Sequence, residues 1–210
     1  MMTFKKKWIA LALSTMLLGA CLENDNESLS PGDVFVLTSN GQLATFNRTE
    51  PSLVRTSVAI TGIMSGDTLL GMDFRPRDGQ LYAVARTTPG NGGRLYTINT
   101  NTGAATAVAT LTAAVGSTYT TIDPAATSFG VDFNPAADAL RVISNTGQNL
   151  RIVMNAGGGN VLGSTFLDTA LNRTDGSATP FADTGTSYTN SFDGTTSTRM
   201  FNLDVTNGNL

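Results

Sequence analysis

The sequence predicts an all-β fold, a β-propeller-like domain with four-stranded blades of about 50 residues, incomplete at about three and a half blades. Three observations predict it. A six-residue phrase, Gly71-Met72-Asp73-Phe74-Arg75-Pro76, returns 59 residues later as Gly130-Val131-Asp132-Phe133-Asn134-Pro135. Short segments of alternating apolar residues line up at Leu43, Leu95, Leu150 and Met200, with spacings of 52, 55 and 50 residues. Alternation over that length is the pattern of a strand with one buried face. The chain is also rich in Thr, Gly, Ala and Asn and poor in 3.6-residue periodicity, a composition that favours strands and turns.

Residues 1–20 read as a lipoprotein signal peptide, set apart from fold reasoning. Lys5, Lys6 and Lys7 form its basic start, and Trp8 to Leu18 is an apolar run of eleven residues. A membrane-crossing helix needs about 20 apolar residues, so this run suits a secretory signal. Leu18-Gly19-Ala20-Cys21 resembles a bacterial lipobox, which makes Cys21 the lipidation site; the alternative is an ordinary signal with a stray cysteine. Cys21 is the only cysteine, so an internal disulfide is excluded. Stable anchoring takes more than one acyl chain, and a lipidated cysteine supplies that. The expected partner is a membrane, reached through the anchor, and the expected location is the bacterial cell envelope. Leu22, rather than Asp, after the cysteine favours the outer membrane.

All three lysines leave with the signal, so the remainder holds 10 arginines against 16 acids. Nucleic-acid binding needs clustered basic residues and is not expected. The chain contains no histidine. Histidine triads, histidine general bases and histidine-ligated zinc are therefore excluded.

Residues 21–32 are polar and acidic and read as a flexible spacer. The partial propeller then runs over 33–210. Its first hairpin joins Val34–Leu37 to Gln42–Phe46 across Asn40-Gly41, a dipeptide suited to tight turns because both residues tolerate positive φ. In the first full blade the Gly-x-Asp-Phe strand comes first and Leu81–Ala85 second. Arg94–Ile98 is third, across a Pro-Gly-Asn-Gly-Gly loop, and Ala105–Leu111 is the outer fourth. In the next blade Ala139–Ile143 and Leu150–Val153 are second and third, and Asn160–Gly163 is fourth. Arg199 to Gly208 matches Arg94 to Gly103 at a constant offset of 105 and then stops, so the sequence reads as a truncated product or fragment, or as one closed by a partner chain.

Val34–Asn47, Val58–Gly62 with Gly71–Pro76, Gln80–Tyr82 with Gly93–Ala107, Thr127–Pro135, Leu140–Leu150 and Ser187–Asn190 together resemble the bacterial domain-of-unknown-function 4394 family. The resemblance covers roughly residues 33–210 and is most specific at 127–150. It implies a secreted, propeller-like protein that continues past the position of Leu210. It supplies no catalytic residue to carry over.

Candidate chemistry gathers at two places. Asp73 and Asp132 hold the same position in successive blades. They read either as a carboxylate ring or acid/base pair, or as structural acceptors of backbone N–H groups in the adjoining turn. The third comparable place, Ser187-Tyr188-Thr189-Asn190, lacks the aspartate. Phe74 and Phe133 read as wedges between blades. Arg141, Asn145, Gln148 and Asn149, with Arg151, crowd one hairpin as a ligand face or as a solvated hairpin. Gly157-Gly158-Gly159 lacks the lysine and following helix of a phosphate loop and reads as a turn. Asn47-Arg48-Thr49 and Asn172-Arg173-Thr174 match glycosylation sequons by accident of composition. No calcium-loop pattern is present, so no cofactor is expected, although calcium held by distant strands stays open. The expected function is an envelope-tethered binding or interaction module for a protein or glycan ligand, with no catalytic residue assigned. The alternative is a carboxylate- or metal-dependent hydrolase, lactonase- or glycosidase-like.

Overall fold

The structure is a computed structural model that describes residues 29–171 and 185–204. The signal peptide, Cys21 and most of the spacer lie outside the described residues, as do Asn172, Asp183 and the predicted turn at Gly208. The described residues form fourteen strands in four mostly antiparallel sheets and no helix. These sheets do not close into a ring or barrel among the described residues.

The first sheet orders β1 (Val34–Leu37), β2 (Gln42–Asn47) and β3 (Glu50–Ala59). The predicted hairpin is present, with Val34 opposite Phe46 and Leu37 opposite Leu43. Of the Asn-Gly pair, Gly41 takes the positive φ (75°), and Thr38 closes the loop through bonds between its N–H and the Gln42 carbonyl and from the Gly41 N–H to its own carbonyl. The second sheet is the expected blade, with β4 (Asp67–Phe74), β5 (Leu81–Thr87), β6 (Gly93–Ile98) and β7 (Ala105–Thr110) paired in chain order.

The third sheet repeats this order with β9 (Phe129–Asn134), β10 (Ala139–Ser144), β11 (Asn149–Val153) and β12 (Ser164–Leu167). Its outer strand differs from the expected Asn160–Gly163. Gly157 and Asn160 exchange backbone bonds at 2.9 Å, and Gly158 (φ 56°) and Gly159 (φ 83°) turn the chain there. The strand starts only after Gly163, whose φ of 87° ends the turn region. A two-residue strand, β8 (Thr112–Ala113), leaves the second sheet and pairs in parallel with β12, covering the outer edge of the third sheet.

The fourth sheet pairs β13 (Gly185–Tyr188) with β14 (Met200–Leu203). Sequence matching aligned Met200 with Leu95 in a third strand. In the structure β14 lies directly beside β13, in the place that β5 and β10 occupy in their sheets. Second and third strands share one alternating pattern, so the pattern cannot rank them; the short connection from Tyr188 to Met200 decides for direct pairing.

The core has two layers. Leu43, Leu81, Ala83, Ala85, Tyr96 and Ile98 fill the space between the first and second sheets, with Phe35 and Phe74 packed against them. Tyr82, Val84, Leu95, Phe133, Leu140 and Val142 belong to the layer between the second and third. Residues alternate sides along a strand, so β5 sends Leu81, Ala83 and Ala85 one way and Tyr82 and Val84 the other. All five are buried, because the second sheet is covered on both faces. That is why Leu81–Ala85 reads as an apolar run without polar alternation.

Candidate functional site

The repeated phrase forms the junction between sheets. Strand β4 contacts β9, and β9 contacts β13. Asp73 Oδ2 accepts the Phe133 N–H at 2.8 Å, and Asp132 Oδ2 accepts the Tyr188 N–H at 2.6 Å. Each aspartate therefore caps a backbone donor on the first strand of the following sheet. Sequence reasoning anticipated a backbone acceptor but placed the donor in the adjoining turn, and the structure corrects the partner.

Period-two alternation explains the rest of the phrase. The glycine and the aspartate, two apart, face the next sheet. A Cβ on Gly71 would lie 2.5 Å from Val131 Cγ2, and one on Gly130 would lie 2.3 Å from Thr186 Oγ1. Only glycine lets the strands approach closely enough for the aspartate to reach across. The phenylalanine, one residue on, faces the preceding sheet. Phe74 meets Phe35 edge-on at 5.1 Å, and Phe133 meets Tyr82 edge-on at 5.7 Å. Both are the wedges the sequence predicts.

The donors also reveal a third copy. Tyr188 takes the place of Phe133, so Ser187 takes the place of Asp132 and Gly185 that of Gly130. The phrase recurs as Gly185-Thr186-Ser187-Tyr188, without the carboxylate. Tyr188 faces back onto the third sheet, where its hydroxyl accepts a bond from Arg141 Nε at 3.1 Å.

Asp73 and Asp132 lie close enough for each to act on the titration of the other. Burial and then the Asp73 charge push the Asp132 carboxyl up to about 8. Burial also raises Asp73, against the lowering effect of the Phe133 N–H. With its carboxyl pushed up to about 8, Asp132 is the member of the pair that keeps a proton at neutral pH.

The polar hairpin cluster divides into two groups. Asn145 Oδ1 accepts the Thr127 N–H at 3.0 Å, Gln148 Oε1 accepts the Asp123 N–H at 2.9 Å, and Gln148 Nε2 donates to the Thr121 carbonyl at 2.9 Å. These two side chains fasten the segment before β9 to the β10–β11 turn. Arg141 Nη1 instead donates to Asn149 Oδ1 at 2.6 Å and to Asp168 Oδ2 at 2.7 Å, and Asn149 Nδ2 donates to the Thr169 carbonyl. Arg151 also binds Asp168, with its guanidinium 4.1 Å above the Phe166 ring. Burial alone would raise the Asp168 carboxyl, but Arg151 and Arg141 outweigh it and leave it below the ordinary range.

A further junction was missed in the sequence. Arg75 is buried, and its guanidinium holds Asp138 through Nε at 2.7 Å and Nη2 at 2.5 Å, Asp78 through Nη1 at 2.8 Å, and Asn155 through Nη2 at 2.9 Å. It links the β4–β5 turn to the β9–β10 turn of the next sheet. Burial raises the Asp138 carboxyl, but bonds from Arg75, Asn155 and Arg77 leave it below the ordinary range. The signal lay in the x of Phe-x-Pro, which is Arg75 in one copy and Asn134 in the next; unequal residues at one repeat position mark unequal roles.

A cavity of about 930 Å³ lies where the start of β4 (Asp67–Leu70), the β1–β2 turn, the segment at Ile60 and Ile63, the end of β5 at Arg86 and the start of β9 meet. None of the candidate site residues Asp73, Asp132, Arg141, Asn145, Gln148 and Asn149 lines it. Asp73 instead borders a cavity of about 220 Å³ with Asp33 and Met72. Among the described residues no three His, Cys, Asp or Glu side chains come together as a metal site.

The profile of the family described as Domain of unknown function (DUF4394) matches residues 42–210. The chain belongs to this family. No curated protein and no solved structure matched this DUF4394 chain. The matched span takes in both carboxylates, the Arg75 junction and most of the wall of the larger cavity.

Proposed function

We propose that this DUF4394 protein is a binding module carried on a propeller-like scaffold and tethered to the bacterial envelope through a lipid on Cys21. One observation carries the preference for binding over catalysis. Both candidate carboxylates are engaged with the neighbouring strand and with each other, so they join sheets (each also accepts a backbone N–H), while the larger concave surface lies elsewhere. A mixed apolar and polar cavity of this size is the usual form of a small-ligand site. The test is a thermal-shift screen of envelope-derived small molecules and glycan fragments against the full chain, with ester and glycan turnover followed in parallel. Binding without turnover, retained in Asp132→Asn, is expected.

The hydrolase reading has one observation in its favour. A carboxylic acid pushed up to about 8 beside a second carboxyl is the equipment of a general acid. Turnover that Asp132→Asn abolishes would establish that reading and remove ours. The anchor is tested separately: globomycin, or Cys21→Ala, is expected to change the gel mobility of the precursor, and unchanged mobility in both would refute lipidation.

A further inference from the structure

We propose that the larger cavity takes a small monocarboxylic acid, with the carboxylate on Arg86 and an apolar body on Ile60, Ile63 and Leu69; this rests on the binding-module reading and names its ligand class. Arg86 is held ready. Its Nη1 donates to the carbonyls of Asp123 and Ala126, both at 3.1 Å, and its guanidinium lies 5.9 Å from the centre of the Phe129 ring. Those contacts fix the plane and use the Nη1 hydrogens. The Nε–Nη2 edge has no partner among the described residues, and that edge of a guanidinium matches a carboxylate with two parallel bonds.

The charge balance around the cavity points the same way. Arg75, Arg94, Arg141 and Arg151 each hold an aspartate, whereas Arg86 makes no ion pair among the described residues. The cavity wall does contain Asp67, but that side chain is only 3% exposed and is bound to Arg94 Nε at 2.7 Å and to the Tyr96 hydroxyl. Its charge is already balanced, which leaves Arg86 as the uncompensated cation on the wall. A single cation fits a monoanion, and a polyphosphate would need several. Leu37, Ile60, Ile63, Leu69 and Leu70 supply apolar surface for the body of the acid, and Thr68 adds a hydroxyl at the rim.

The experiment compares two probes of one shape, hexanoate and hexanamide, titrated into the full chain and followed by NMR at Arg86 Nε–H and at the amides of Thr68 and Phe129. Hexanoate is expected to shift these signals and to bind at least about tenfold more tightly than hexanamide, a preference lost in Arg86→Gln. Equal binding of the two probes would overturn the role of Arg86 and leave the binding-module reading standing. No shift with either probe would overturn the ligand class, and the screen described above would then judge the broader reading. The probe comparison on the unaltered chain decides the matter even if Arg86→Gln disturbs the 121–128 segment.

Discussion

Replacing Asp132 with asparagine should make the protein less sensitive to alkali, and the size of the effect follows from the proton that Asp132 keeps. In the unfolded chain an aspartate titrates near ~3.9, whereas Asp132 in the folded chain is pushed up to about 8. A folded-state value above the unfolded one means that the stabilisation is complete below about pH 4 and is lost as pH rises through about 8. With one extra proton bound in the folded state, stability falls by about 1.4 kcal/mol per pH unit across that window. From pH 5 to pH 8 the upper limit is therefore about 4 kcal/mol, a large share of a typical stability of roughly 5–15 kcal/mol. The window is unusually clean, because the chain contains no histidine to titrate within it. Asparagine reproduces the neutral acid: its carbonyl accepts the Tyr188 N–H, and it carries no charge beside Asp73. Urea midpoints measured at pH 5, 6, 7 and 8 should fall steadily in the parent and stay nearly level in Asp132→Asn, so that the variant is the more stable protein at pH 8. Asp132→Ala, which leaves the Tyr188 N–H without its acceptor, should lose about 1–3 kcal/mol even at pH 5. A parent with level stability from pH 5 to 8, or an asparagine variant with the parent's slope, would refute that retained proton.

Gly71→Ala forces a Cβ to within 2.5 Å of Val131 Cγ2 and should cost about 1–3 kcal/mol, and adding Val131→Ala should recover part of that loss in a double-mutant cycle followed by thermal unfolding. Arg75→Ala leaves Asp78 without its cation and Asp138 with only the exposed Arg77, and should cost about 3–5 kcal/mol in denaturant titration, partly relieved when Asp138→Asn is added. Asp138 and Asp168 are held below the ordinary carboxylate range, so their stabilisation is present above about pH 4 and is lost as pH falls further; with the Asp73–Asp132 pair this should place maximum stability near pH 4–5, as a pH series of melting temperatures would show. Phe133→Ala removes a fully buried wedge and should cost about 3–5 kcal/mol, enough to abolish cooperative melting in a marginal protein.

The repeat was legible because its parts obey short-range rules. Glycine, aspartate and phenylalanine sit at fixed offsets on one strand, and alternation sends them to known sides. The hairpin at Gly41 and the order β4 to β7 were legible for the same reason. The donor opposite each aspartate was not, since Phe133 lies 60 residues from Asp73 and nothing local to Asp73 names it. The third copy was legible at Ser187–Asn190 as a place without the aspartate, but its glycine, Gly185, was not, because Ser187 and Tyr188 keep the geometry while changing the chemistry. The hairpin polar residues looked like one site because they are close in sequence. In space, Asn145 and Gln148 turn to the segment before β9, while Arg141 and Asn149 turn to Asp168 and Thr169. Arg86 drew no attention in the sequence, where it is one arginine at a strand end. Its meaning comes from the carbonyls of Asp123 and Ala126, which lie 37 and 40 residues away.

The clasps also impose a timetable on the growing chain. Each carboxylate precedes its backbone donor, by 60 residues at Asp73 and by 56 at Asp132. As the chain emerges from its N-terminal end, the second sheet forms with Asp73 still in water, ionised and unmatched. Arrival of β9 removes that water, delivers the Phe133 N–H and brings Asp132 with its own unmet need, which β13 then answers. Each added sheet thus supplies the backbone donor that its predecessor's carboxylate lacks, so a chain cut between β9 and β13 would leave Asp132 without the Tyr188 N–H.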